Sequence, residues 1–342
     1  MAAPISVSTL YGHTSFVHSI AFNFDGSKIV SGSFDNEVKI WDVRESRCVS
    51  TLEGHEAWVT SVAFGPKPGN KVVSGSADKT LKLWNVVKEE CMFTFPMLDI
   101  VYAVAFNHTG SLVIGASNAQ KLDNCIKVWG TDSGECIATL NGHSYSVYSV
   151  SFNSDSSKIV SGSHDHTIKL WDCRKGFRDD VVRCTLTGHD AFVFATNFNH
   201  DGTKIISGGA DNCIKIWDVG LEKCINTLTG HSDYVSDVCF DYESKFIVSG
   251  SYDYSVNLWK IQEDYEKQKI NEHVDWVQCV AFSPDGKRFA SGSSDSTIKV
   301  FWLYPGDTPE NMTNPVRNFL PPKKTEKYSS FFKRNYTKTH SP

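Results

Sequence analysis

The residues of this chain that could do acid–base chemistry stand at a nearly fixed interval. Histidine follows glycine at His13, His55, His143, His189 and His231, with a weaker copy at His273. Aspartate recurs at Asp35, Asp78, Asp123, Asp165, Asp211, Asp253 and Asp295. Six residues after each Asp comes Trp41, Trp84, Trp129, Trp171, Trp217 or Trp259, at intervals of 42 to 46 residues, and Phe301 takes the seventh place. Histidine near aspartate invites a hydrolase reading. A catalytic set, however, is not copied five times with a tryptophan attached, so the recurrence reads as structure. The ten cysteines contain no Cys-x-x-Cys, and none pairs with histidine at zinc spacing, so neither a metal nor a cofactor is expected. Cys48, Cys136 and Cys224 share one register of the repeat, which suggests packing on outer strands. All ten read as reduced thiols of a cytoplasmic or nuclear protein.

A period of this length marks one supersecondary unit copied along the chain, and each copy must stack on its neighbours to bury its apolar face. The fourth copy is the clearest. Val147–Phe152, Lys158–Ser163 and Thr167–Asp172 alternate, are rich in β-branched or aromatic residues and are separated by the polar turns Asp155–Ser157 and His164–His166. A fourth strand is expected to end near Leu186. No 3.6-residue apolar period interrupts them. The fold class expected is all-β, with seven four-stranded antiparallel sheets closed radially so that strand edges are hidden.

These residues resemble the WD-repeat (WD40) β-propeller family over about residues 5–303. The resemblance implies a single propeller domain over 1–303 with seven blades, and a separate tail over 304–342. Ile5–Leu10 before Gly12-His13 looks like Cys48–Leu52 before Gly54-His55, so the N-terminal strand is expected to complete the last blade and close the ring. The family's structural tetrad carries over as His13, Ser31, Asp35 and Trp41, then His55, Ser74, Asp78 and Trp84. Further copies are His143, Ser161, Asp165 and Trp171, then His189, Ser207, Asp211 and Trp217, then His231, Ser249, Asp253 and Trp259. Repeat three departs, with Met97 and Ile114 in the His and Ser slots and an insertion around Asn118–Lys121, and it reads as the softest blade. Repeat seven has Phe301 for Trp.

Within the family, three positions per blade line one mouth of the central channel. Here the two positions on each first strand are Phe16 and His18, Trp58 and Thr60, Ile100 and Tyr102, Ser146 and Tyr148, Phe192 and Phe194, Tyr234 and Ser236, Trp276 and Gln278. The turn positions are Phe34, Ala77, Leu122, His164, Ala210, Tyr252 and Ser294. Ten of these are Phe, Tyr or Trp, against 12% of the whole chain, and none is Asp, Glu, Lys or Arg. The acids Glu56, Asp99, Asp190, Asp233 and Asp275 lie just outside. An aromatic centre with an acidic rim suits an extended peptide carrying Arg or Lys. The set Phe16, His18, Phe34, Trp58, Tyr102, Tyr148, His164, Phe192, Phe194, Tyr234, Tyr252 and Trp276 is therefore the candidate partner-binding face. Only His18 and His164 titrate near neutrality in it, and no nucleophile–base pair or phosphate loop accompanies them, so an enzyme is not expected.

Two further resemblances suggest particular roles. Phe192–Phe198 looks like the segment with which WD-repeat histone-methylation subunits grip an arginine. Trp41-Asp42-Val43-Arg44 and Trp171-Asp172-Cys173-Arg174 look like the box of substrate receptors for cullin-RING ubiquitin ligases, with Arg44 and Arg174 placed for an acidic adaptor.

Net charge is −5; the tail carries +4 and the remainder −9. The tail, with Lys323, Lys324, Lys327, Lys333 and Arg334 among aromatics, reads as a mostly disordered basic extension. An acidic propeller lacks the footprint of a nucleic-acid binder. The N-terminus lacks a signal-peptide pattern, and no apolar run is long enough to span a bilayer. The partners expected are proteins or peptide segments, with no direct nucleic acid, membrane or small-molecule substrate.

Overall fold

The computed structural model describes residues 6–117, 125–174, 176–177, 182–262 and 264–303. The repeat-three insertion, Leu122, Asp123 and the tail lie outside them. Among the described residues, 28 strands form seven four-stranded antiparallel sheets in a ring. None of these residues forms a helix long and apolar enough to cross a membrane.

Blade one shows the plan. Val17–Phe22, Lys28–Ser33, Val38–Asp42 and Arg47–Leu52 pair in sequence order. The innermost strand packs against the innermost strands of blades two and seven. The second strand, Lys-Ile-Val-Ser-Gly-Ser, is buried along nearly its whole length because neighbouring blades cover both its faces. Its glycine is a close approach: a Cβ on Gly32 would stand 2.5 Å from Val59 of the next blade. The last blade repeats the contact, Gly292 facing Val17, so the ring closes with the same packing that builds it.

Closure is completed by the N-terminal strand. Ser6–Leu10 is the fourth strand of blade seven, paired antiparallel with Ile298–Trp302 from Ser6↔Trp302 to Leu10↔Ile298. Leu10 is 1% exposed and packs in one cluster with Trp302, Val17 and Trp41, which joins the seam to blade one.

The five expected tetrads all form. In blade four, His143 Nδ1 lies 2.8 Å from Asp165, His143 Nε2 lies 2.7 Å from Ser161 Oγ, and Trp171 Nε1 donates to Ser161 Oγ at 2.9 Å. Blades one, two, five and six repeat these bonds. A neutral imidazole that donates through Nδ1 must accept at Nε2, so the serine hydroxyl donates there and its oxygen is left for the tryptophan N–H. This order of groups is that of a hydrolytic triad. Each of these serines is fully buried (0% exposed) beneath a tryptophan, so no substrate reaches it.

Blades three and seven depart in different ways. Blade seven keeps His273–Asp295 at 2.7 Å and His273–Ser291 at 2.7 Å, while Phe301 stacks on Phe289 with centroids 4.7 Å apart. In blade three the pairing Val113↔Trp129 matches Ile29↔Trp41 in blade one. The serine slot is therefore Gly115, not Ile114 as counting along the sequence suggested. The space is taken by blade two: a Cβ on Gly115 would meet both Leu81 methyls at 2.8 Å. Restoring the missing serine is accordingly expected to harm the fold. Gly115→Ser should lower the melting temperature by a few degrees through overpacking. A higher melting temperature would show that Leu81 yields and that the new hydroxyl has found Trp129.

Candidate functional site

The channel mouth is built by the same two devices in blade after blade. The first is a β-bulge in the innermost strand. Val17 pairs with Ser33 and Ser19 with Gly32, so the ladder steps over His18. Thr60, Tyr102, Tyr148, Phe194, Ser236 and Gln278 are skipped in the same way. A bulge re-aims a side chain out of the strand's alternation. The second device is a backbone bond from the turn to the residue entering the strand. Phe34 N–H donates to Phe16 C=O at 2.9 Å, and the pairs Ala77–Trp58, His164–Ser146, Ala210–Phe192, Tyr252–Tyr234 and Ser294–Trp276 repeat it. The three positions assigned to each mouth sector are thus held together by backbone geometry in six blades; in blade three Leu122 lies outside the described residues.

The rings form contact chains. His18 and Trp58 both stack on Phe34, at 5.4 and 4.7 Å, and Phe16 leans on it at 5.6 Å. Around the rest of the mouth, Tyr102 meets Tyr148 at 5.0 Å, Tyr148 meets Phe194 at 5.4 Å, and Phe194 meets Tyr234 at 5.9 Å. Tyr252 follows Tyr234 at 5.9 Å and stacks on Trp276 at 4.8 Å. His164 packs on Phe192 at 3.7 Å and edge-on to Tyr148. Phe34 is 6% exposed, a packing residue at the base of its cluster, while the other eleven candidates are half-buried.

Several polar members of the mouth are already engaged. His18 Nδ1 donates to Thr60 C=O at 2.7 Å, Thr60 Oγ1 donates to Val101 C=O, and Ser236 Oγ donates to Val277 C=O at 2.6 Å. Gln278 Nε2 donates to Ser294 Oγ at 2.8 Å. The first three bonds stitch neighbouring sectors, the last ties two positions of blade seven, and blades three to six are left to present an aromatic surface. Burial lowers the His18 pKa despite its bond to Thr60, and burial and the neighbouring His166 lower that of His164 despite Asp165. Both imidazoles are neutral at pH 7, and neither adds positive charge to the face. Burial and the Asp99 charge push the Tyr102 hydroxyl up to about 12; burial and Asp233 raise Tyr252 as well. The rim carboxylates Asp99 and Asp233 therefore act on the rings from close by.

Below the mouth lies a channel of about 450 Å³, lined by the innermost strands of the blades. Strands at the centre of a ring present unpaired backbone groups, and here side chains cap them across the blade boundaries. Ser19 Oγ accepts from Val62 N–H at 3.0 Å, Ser61 Oγ from Val104 N–H at 3.1 Å and Ser149 Oγ from Thr196 N–H at 2.9 Å. In blade six the same slot holds Asp237, which accepts from Val280 N–H at 2.9 Å.

The two arginines of the Trp-Asp-x-Arg boxes lie differently. Arg174 folds back on its own box, Nε donating to Asp172 Oδ1 at 2.9 Å. Arg44 is exposed and has no carboxylate partner among the described residues. Cys136 and Cys224 sit on fourth strands as expected, but with exposed rather than packed thiols, and the nine described cysteines are free. Among the described residues, one group, His13, Asp35 and Glu37, brings three metal-capable atoms within 4.8 Å. His13 and Asp35 are already bonded to each other, His13 also to Ser31, and Glu37 is paired with Lys39 at 2.8 Å.

Comparison with known proteins agrees with the repeat fold. Over 69 residues the chain is 39% identical to the nuclear distribution protein PAC1 of Arthroderma otae, covering 18% of this chain and 15% of that protein. It is 44% identical over 57 residues to polyadenylation factor subunit 2 of Gibberella zeae, covering 17% and 9%. It is 42% identical over 66 residues to the ribosome biogenesis protein BOP1 homolog of Drosophila melanogaster, covering 19% and 8%. Each match spans little more than one repeat, and the aligned part is a small fraction of each relative. The pattern of the WD domain, G-beta repeat family matches seven times, at residues 5–42, 46–85, 89–130, 134–172, 181–218, 222–260 and 265–301. The chain thus belongs to the WD-repeat family.

Proposed function

We propose that this protein is a non-enzymatic interaction scaffold that binds a peptide segment of a partner on the aromatic mouth of its channel. The observation that carries the reading is the half-buried ring chain Tyr102–Tyr148–Phe194–Tyr234, whose first three rings stand on bulges. Rings grouped on a surface cost solubility, and such groups serve as anchors for partners. The rim carboxylates favour a segment carrying Arg or Lys, whose stem packs on the rings. The buried tetrad serines argue against hydrolysis. The relatives lend a fold but no particular partner, since each is matched over about a repeat.

The reading as a ligase substrate receptor rests on Arg44 and Arg174, and the bond from Arg174 to Asp172 must break before Arg174 can meet an adaptor. The histone-methylation analogy rests on Phe194, which does lie in the ring chain.

The test begins with affinity purification and mass spectrometry to identify a partner. Calorimetry with the double variant Tyr148→Ala/Phe194→Ala then follows. Two hot-spot rings lost should weaken binding at least about 30-fold, with a melting curve close to the parent's because neither residue joins the strand ladder. Unchanged affinity would refute the assignment.

A further inference from the structure

We infer that the channel beneath the mouth receives one basic side chain of the bound peptide, with Asp237 as its counter-charge. The inference rests on the peptide-binding reading above and names the chemistry of its centre.

The slot in question recurs in every blade as Ser19, Ser61, Ala103, Ser149, Ala195, Asp237 and Cys279, all lining the channel. Where a serine stands there, its hydroxyl accepts one N–H of the next blade, and in two blades alanine serves. The fold therefore asks for one neutral acceptor at most. Asp237 provides that acceptor through Oδ2 to Val280 N–H at 2.9 Å, and Oδ1 accepts Val238 N–H at 2.8 Å. What it adds beyond a serine is a negative charge, the one formal charge among the residues that line this channel. A buried charge is unfavourable unless something pairs with it. No basic side chain of the channel lining does so.

Position completes the argument. Asp237 follows Ser236, the bulged mouth residue of blade six, so it lies about one strand residue, roughly 3 Å, below the mouth. Phe194 of the neighbouring blade and Tyr148 of the blade beyond it line the same cavity. A lysine or arginine stem passing these rings meets the carboxylate with its charged end, and the two N–H bonds leave both oxygens with lone pairs to accept more. The channel has room for one such side chain and offers one charge to meet it.

Protonation opposes this binding. Burial pushes the Asp237 carboxyl up to about 6, against the pull of its two N–H bonds. The other titratable groups that line the channel are the thiols of Cys239 on its own strand and Cys279 on the adjoining inner strand, both raised by burial and so uncharged, the hydroxyls of Tyr102, pushed up to about 12, and Tyr148, and the His18 imidazole, lowered by burial. Binding of a cation should therefore weaken as pH falls through about 6.

The experiment uses the full chain with two small probes, butylguanidinium and its neutral isostere butylurea, followed by protein-observed NMR. The charged probe is expected to bind about tenfold more tightly. That preference should vanish in Asp237→Ser, the side chain that three other blades carry in this slot, and equally in Asp237→Asn. Equal binding of the two probes, or an undiminished preference in both variants, would overturn the inference. Failure of the peptide-binding reading looks different: partner affinity would then survive Tyr148→Ala/Phe194→Ala, whatever the probes do.

Discussion

Acidification is expected to unfold the propeller abruptly between about pH 4 and pH 2. The cause is the set of tetrad carboxylates. Burial raises each of them, but the histidine bond, the histidine charge and backbone N–H donors outweigh burial. Asp35, Asp78, Asp165, Asp211, Asp253 and Asp295 all end below the usual value. A carboxyl whose folded pKa is depressed stabilises the fold above its unfolded pKa, and that contribution is lost as pH falls through the folded pKa. Asp295, moved from 3.8 to about 2 and 8% exposed at the side chain, contributes on the order of 2 kcal/mol. The other five carboxylates shift the same way, so the tetrads together weigh heavily in a domain whose whole stability is about 5–15 kcal/mol. His143, lowered chiefly by burial, acts in the same direction because protonating it is opposed in the folded state. Urea midpoints measured across this range should fall steeply, and Asp165→Asn should flatten the fall by about one group in six. A midpoint that stays level through acid would show that the tetrads do not carry stability.

Removal of residues 1–10 should be equally severe. Blade seven would lose its fourth strand and Ile298–Trp302 would become an open edge. Loss of a buried leucine alone costs about 2–5 kcal/mol, and Leu10 is 1% exposed beneath the seam. The ladder from Ser6↔Trp302 to Leu10↔Ile298 and the bond from Lys299 to Thr9 at 3.2 Å would be lost as well. The shortened chain is expected to aggregate through its free edge. A synthetic peptide spanning residues 4–12, added in excess during refolding, should restore the monomer by strand addition. A shortened chain that melts within a few degrees of the intact one would mean that the seam is not a closure.

Much of this architecture could be read from the chain because it is written locally. Alternation within Val147–Phe152, the turn aspartates and the likeness of Ile5–Leu10 to Cys48–Leu52 each depend on neighbours in sequence. The bulges do not, since a register shift belongs to two strands at once. A trace of them is nevertheless present. Val17 and Ile20 are both buried yet three residues apart, where strict alternation allows two, and Val59 with Val62 or Val147 with Val150 repeats the excess. The same blindness to register put Ile114 in the serine slot. Leu112–Ser117 lacks the Ser-Gly pair that fixes the count elsewhere, and only the pairing with Trp129 settles it. Phe34 looked like the other mouth aromatics because its burial comes from Phe16 and Trp58, one of them in another blade. Asp237 carried no sequence signal as a binding group; its meaning appears when the seven equivalent positions are set side by side.

The pairing of Ser6–Leu10 with Ile298–Trp302 also sets a clock. Nearly the whole propeller is synthesised between the two strands. At about 5–20 residues per second, the early strand waits on the order of 15–60 seconds for its partner. Until then Val17, Ile29 and Trp41, which share a core with blade seven, face an empty seat. A nascent chain stopped at any blade short of the seventh keeps that apolar wall uncovered, where chaperones and proteases can find it. Closure therefore certifies that translation has run through the seventh blade.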